Sequence, residues 1–81
     1  MATAFVLINT EPALMTQVLE KVKEVEGVKE AEMVYGVYDI IAKVEAENMD
    51  QLKNLIAYRI RLLANVRSTQ TMLVTSIKNN Q

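Results

Sequence analysis

The chain has 81 residues, 51% of them apolar, and contains no Cys and no His; a core of that size is marginal without disulfides, metal or association, and only association is left. Nine basic residues against ten acidic ones give a net charge of −1 with no basic run, so the electrostatic footprint of direct nucleic-acid binding is missing. The apolar runs fall well short of the ~18 residues of a spanning helix, and the run Ala4–Ile8 lacks the basic flank of a signal peptide, so no membrane contact and a cytoplasmic location are expected.

Thr3 to Thr10 opens the chain as a strand in which both alternating sets, Ala4/Val6/Ile8 and Phe5/Leu7, are apolar, the mark of a strand buried on both faces in the middle of a sheet. Pro12 suits the first position of a helix. Met15, Val18, Leu19, Val22 and Val25 then recur at helical spacing, and Gly27 is placed to end that helix in the left-handed conformation.

Val28 starts a second strand that runs to Tyr35-Gly36-Val37-Tyr38-Asp39 at the centre of the chain. A glycine between two apolar strands predicts a two-residue type II′ turn, and that turn sets a register. Tyr35 faces Tyr38, Val34 faces Asp39, Met33 faces Ile40, Glu32 faces Ile41, Ala31 faces Ala42 and Glu30 faces Lys43. One face of this hairpin, with Ala31, Met33, Tyr35, Tyr38, Ile40, Ala42 and Val44, is almost wholly apolar, and it is expected to lie under the helices.

The third strand runs from Tyr38 to about Ala46. Asn48 followed by Gln51 has the spacing of a capping box, and Leu52, Leu55, Ile56, Ile60 and Leu63 form the stripe of a second helix that stops near Asn65. Val66 to Ile77 is the fourth strand, and Lys78–Gln81 a frayed tail. The order β-α-β-β-α-β predicts an α+β fold of the ferredoxin-like type: a four-stranded antiparallel sheet, strands one and three central, two helices on one face, and one domain over residues 1–81. The helix-free face then carries Phe5 and Leu7 or their neighbours, with Val34 and Ile41. Burying roughly 400 Å² of such surface at ~25 cal/mol per Å² is worth about 10 kcal/mol per chain before association costs, which predicts dimers paired through these faces.

For chemistry the chain offers little. Without His or Cys no nucleophile and base can be assembled, no closely spaced Asp/Asn loop offers a metal site, and two glycines make no phosphate loop, so no catalytic residue, metal or cofactor is expected. Asp39, just past the turn, is suited either to receiving an ammonium group or to bonding backbone donors of its own turn. Ser68, Thr69, Gln70, Thr71, Thr75 and Ser76 make a hydroxyl-rich edge. Such a row is good composition for a wet strand, and it also suits a small zwitterion.

The opening Thr3–Ile8, the central Val28–Ala31 and Tyr35–Ile40, and the closing Arg67–Met72 resemble the ligand-sensing C-terminal domain of the Lrp/AsnC transcription regulators. This resemblance covers essentially the whole chain, and the central motif is its specific part. It implies a βαββαβ domain that dimerises through its sheets, assembles dimers into octamer-like rings and binds amino acids between neighbouring dimers. It further implies ligand contacts from Tyr35, Gly36, Val37 and Tyr38, from Asp39, and from Thr69 and Thr71 with Ser68 and Gln70. The family's helix-turn-helix domain has no counterpart in these residues. A stand-alone, non-enzymatic sensor is therefore expected, acting on transcription through a full-length relative. The alternatives are a small dimeric α+β barrel enzyme, disfavoured by the absence of His, and an assembly domain without ligand. Replacing Asp39 by Ala is expected to weaken binding and to spare the fold.

Overall fold

A computed structural model of the protein describes residues 1–75; Ser76, Ile77 and the tail lie outside the described residues, and the fourth strand, expected to run to Ile77, already ends at Leu73. Four strands, β1 (Ala2–Thr10), β2 (Val28–Met33), β3 (Ile40–Ala46) and β4 (Val66–Leu73), form one antiparallel sheet in the order β2-β3-β1-β4. Strands one and three are therefore central. The helices are α1 (Met15–Glu24) and α2 (Met49–Leu55).

One apolar cluster joins both helices to one face of the sheet. Ala4, Val6 and Ile8 of β1, Ala31 of β2, and Ile40, Ala42 and Val44 of β3 meet Val18, Leu19 and Val22 of α1, Val25 just after it, and Leu52, Ile56 and Ile60 of the second helical segment, all buried. Phe5 and Leu7, on the opposite face of β1, are only half-buried. The two alternating sets of β1 thus meet different fates: one is sealed under helices, the other forms the apolar centre of an uncovered face with Ile41 and Met72.

The hairpin register is the expected one: Met33 pairs with Ile40, Glu32 with Ile41, Ala31 with Ala42 and Glu30 with Lys43, before a bulge shifts the pairing to Val28 and Val44. Glu30 and Lys43 are neighbours across the strands, but the Lys43 ammonium reaches Glu45 at 3.9 Å instead. Met33 and Tyr35 do not lie under the helices. Met33, which shares a recess with Met15 of α1, is half exposed, and Tyr35 is fully so.

Helix boundaries are where local expectation and structure part. Pro12–Leu14 is a 3₁₀ turn, and α1 ends at Glu24, with Val25 already extended. Gly27 does have a positive φ of 100°, but as the third residue of a turn closed by the Val28 N–H on the Val25 carbonyl at 3.1 Å. Its backbone is pinned a second time by the Glu45 N–H on its carbonyl at 2.9 Å, and a Cβ there would collide with the Leu55 side chain.

In the second helix the Asn48 side chain caps as expected, its Oδ1 accepting the Gln51 N–H at 2.8 Å, although the reciprocal bond of a full capping box is not made. The α-helix gives way after Leu55 to a π-helical turn, Ile56–Ile60, closed by Arg61 N–H donating to the Ile56 carbonyl. Ile56 and Ile60, at the two ends of this turn, are both buried in the core. Asn65 ends the connection at φ 71°, a conformation Asn tolerates better than most residues, and its carbonyl accepts the Glu11 N–H at 3.1 Å.

Candidate functional site

The expected two-residue turn is not formed. The last hydrogen bond of the hairpin is donated by the Val34 N–H to the Asp39 carbonyl at 2.9 Å, so Tyr35–Tyr38 form a four-residue open loop and β3 starts at Ile40 rather than Tyr38. Gly36 has φ 145°, outside type II′ geometry but still in the range that glycine enters cheaply, and a Cβ would meet only open space. Within the described residues no protein acceptor takes the N–H groups of Tyr35, Gly36, Val37 or Tyr38. A closed turn would have used one of them.

The opening has a long-range cause. Asp39 is drawn toward β1: its N–H donates to the Ile8 carbonyl at 2.9 Å, while Oδ2 accepts the Thr10 N–H at 2.9 Å and faces the Thr10 hydroxyl at 3.4 Å. Thr10 is the one buried polar residue among those described, and Asp39 is the partner that satisfies it. Of the two roles expected of Asp39, that of bonding backbone donors of its own turn needs correcting, since its carboxylate is bonded to Thr10. Asp39 ties the hairpin root to the end of β1, 29 residues away, and a substitution there reaches the fold as well as any ligand.

Asp39 lies between two recesses of opposite character. One is lined, among the described residues, by Met15, Met33, Val34, Tyr35 and Gly36, with Asp39 as the only charged residue. The other gathers Asn9, Thr10, Pro12, Arg67 and Ser68. In this second recess the polar groups already serve one another: Asn9 Nδ2 donates to Ser68 Oγ at 3.3 Å, and Arg67 pairs with Glu11 at 3.7 Å.

Of the residues expected at the site, Tyr35, Gly36, Val37, Tyr38 and Asp39 are brought together by the loop, and Ser68 joins Asp39 across Asn9. Gln70 shares the helix-free face with Ser68 but stands one pair further along, opposite Leu7. Thr69 and Thr71 do not join them. They are paired with Ile8 and Val6, whose side chains point to the helical face, and so line a groove against Lys53 and Arg61. In a single chain β1 stands between them and Asp39. Sequence reasoning missed Thr10, Met15 and Arg67. For Thr10 a signal was present, since it continues the inward set Ala4/Val6/Ile8 as its only polar member and needed a partner. Among the described residues no three His, Cys, Asp or Glu side chains gather as metal ligands, and no helix is long and apolar enough to cross a membrane.

Comparison with known proteins gives a consistent result. The family described as the Lrp/AsnC ligand binding domain matches residues 3–80. An uncharacterized HTH-type transcriptional regulator of Pyrococcus abyssi is 32% identical over 75 residues, covering 93% of this chain and 48% of that protein. The chain thus spans about half the length of the curated regulators it matches. Homocitrate synthase of Saccharolobus islandicus is 41% identical over 59 residues, 73% of this chain but 13% of the enzyme. Among solved structures, a hypothetical protein of Pyrococcus horikoshii superposes with a TM-score of 0.87 at 37% identity, covering 96% of this chain and 94% of that one. A feast or famine regulatory protein of M. tuberculosis, complexed with L-methionine, superposes with a TM-score of 0.78 at 25% identity over 98% of this chain and 53% of that one.

Proposed function

The chain belongs to the Lrp/AsnC ligand-binding domain family, and from that premise we propose that it is an amino-acid-sensing regulatory module rather than an enzyme. The observation that carries the reading is the open loop at Gly36, whose backbone N–H groups have no protein acceptor among the described residues and where Tyr35 and Gly36 share a recess with Asp39. Such N–H groups suit the carboxylate of a free α-amino acid and Asp39 suits its ammonium, the two ends of one small zwitterion. The methionine complex of the mycobacterial relative supports the ligand class.

Tyr35, Gly36, Val37, Tyr38 and Asp39 form the half of the site we assign to one chain, with Ser68 and Gln70 beyond Asn9. Thr69 and Thr71 are assigned to a neighbouring copy, since β1 separates them from Asp39 within one chain. Dimers pair through the helix-free faces, where Phe5, Leu7 and Ile41 are half-buried and Met72 half exposed in the isolated chain, and dimers join into larger rings. The module acts in the cytoplasm on transcription, through mixed assembly with a helix-turn-helix-bearing relative; kinship with regulators twice its length supports this.

Titration calorimetry of the purified chain against the free amino acids, with sedimentation in parallel, tests the reading. Saturable one-to-one binding per chain or per interface is expected. Absence of heat from every amino acid at millimolar concentration would leave an assembly domain without ligand.

A further inference from the structure

The two edges of the sheet differ in how they are protected. β2, at one edge, is guarded against further pairing: three of its six residues, Lys29, Glu30 and Glu32, are charged, and a bulge breaks its register at the start. β4, at the other edge, has none of these devices. It is eight residues long, its only charged residue is Arg67 near its beginning, it has no Pro, and its register with β1 is unbroken from Ser68 to Leu73.

One bond shows which way the main chain of β4 points. The Val74 N–H donates to the Thr3 carbonyl at 2.9 Å, so by the alternation of a strand Met72, Gln70 and Ser68 turn their backbone groups to β1, and Leu73, Thr71 and Thr69 turn theirs outward. No strand among the described residues takes up these outward groups. The side chains of the same three residues stand on the helical face, where they line a groove of about 460 Å³ with Ile56 and Ala57. Its charged residues are Lys53 and Arg61, both exposed and neither in an ion pair among the described residues. No Asp or Glu follows Asp50 in the chain, so neither the rest of the second helix nor β4 supplies them with a carboxylate.

We propose that β4 is a docking edge for an extended acidic segment of a partner protein, which adds as an antiparallel fifth strand along Thr69–Leu73 and directs acidic side chains to Lys53 and Arg61. From Lys53 to Arg61 the helix rises roughly 12 Å, and residues i and i+4 of a strand lie about 13 Å apart, so two carboxylates at that spacing meet one cation each. A second copy of this chain fits less well: pairing β4 with β4 about an axis normal to the sheet would set two cationic grooves side by side. Pairing of dimers through the helix-free faces covers the other side of β4. Strand addition uses the main chain of Thr69 and Thr71 rather than their hydroxyls, so the inference does not rest on the amino-acid site.

The test is fluorescence anisotropy of a labelled nine-residue peptide of Thr and Val with Glu at its third and seventh positions, titrated with the full wild-type chain, against a counterpart with Lys at both. Saturable binding is expected, about tenfold tighter for the Glu peptide at low salt, with the preference shrinking as salt rises. Lys53→Gln and Arg61→Gln are each expected to weaken the Glu peptide about two- to fivefold and to leave the Lys peptide no weaker. Thr71→Pro removes an outward N–H without touching the β1 ladder, and in a chain that circular dichroism shows folded it is expected to abolish binding. On the unaltered protein the same point is tested by N-methylating the Glu peptide: at the odd positions, whose backbone would face β4, binding is expected to vanish, and at the even positions to persist. No saturable binding of the Glu peptide at millimolar concentration, equal binding of the Glu and Lys peptides, or indifference to N-methylation would each overturn the inference. So would a wild-type mass that falls on Thr71→Pro in sedimentation without peptide, because a second copy would then occupy the edge.

Discussion

Asp39 joins the hairpin to β1 and stands at the proposed ligand site, and two substitutions separate the roles. In Asp39→Ala the Thr10 N–H, at a residue 2% exposed, loses its acceptor at 2.9 Å, while the Thr10 hydroxyl keeps the Glu11 carbonyl at 3.3 Å. An orphaned buried donor costs about 1–3 kcal/mol. For a domain of this size the expected fall in Tm is roughly 5–20 °C, or a shift of about 1 M in the urea midpoint. Asp39→Asn retains an oxygen for Thr10 and removes only the charge, so it should cost less than about 1 kcal/mol of stability. Both variants should bind an amino acid ten- to a hundredfold more weakly, because the ammonium loses a charged partner worth about 1.5–3 kcal/mol. Urea denaturation followed by circular dichroism, at one protein concentration because association adds to apparent stability, gives the first quantity, and calorimetry the second. If Asp39→Ala is as stable as wild type, the Thr10 link does not support the fold. If Asp39→Asn binds as well as wild type, the ammonium does not rest on Asp39.

Ile41→Lys places a charge in the apolar centre of the helix-free face beside Leu7; sedimentation should show monomer, or circular dichroism an unfolded chain, and an intact dimer would place the interface elsewhere. Gly27→Ala meets both a positive φ and the Leu55 side chain, so a loss of about 1–3 kcal/mol is expected in the same urea assay, against a smaller, purely backbone effect for Gly36→Ala, whose Cβ has open space. Asn48→Ala removes the acceptor of the Gln51 N–H and should cost about 1 kcal/mol. The isolated chain should give no gel shift with duplex DNA at about 150 mM salt and sub-micromolar concentration, since its net charge is −1.

How much of this was legible in the chain follows from how far apart the deciding residues are. Element order, the central place of β1 and the pairing of Glu30–Met33 with Ile40–Lys43 rest on patterns a few residues long: alternation of apolar side chains, a glycine between two such runs, an Asn three residues before Gln51. The resemblance to a sensor family was carried by the same short stretches. What only the tertiary structure decided was set by bonds between distant segments. The Tyr35–Tyr38 loop opens because Asp39 is held by Ile8 and Thr10, and a two-residue turn preference worth little on its own yields to a buried hydrogen bond. Thr69 and Thr71 face the helices because pairing with Val6 and Ile8 fixes their side of the sheet, and pairing with β1 over some 60 residues leaves no local trace in β4. Met15 stands beside Met33 for the same reason: a helix start and a strand end meet only once the sheet has brought them there.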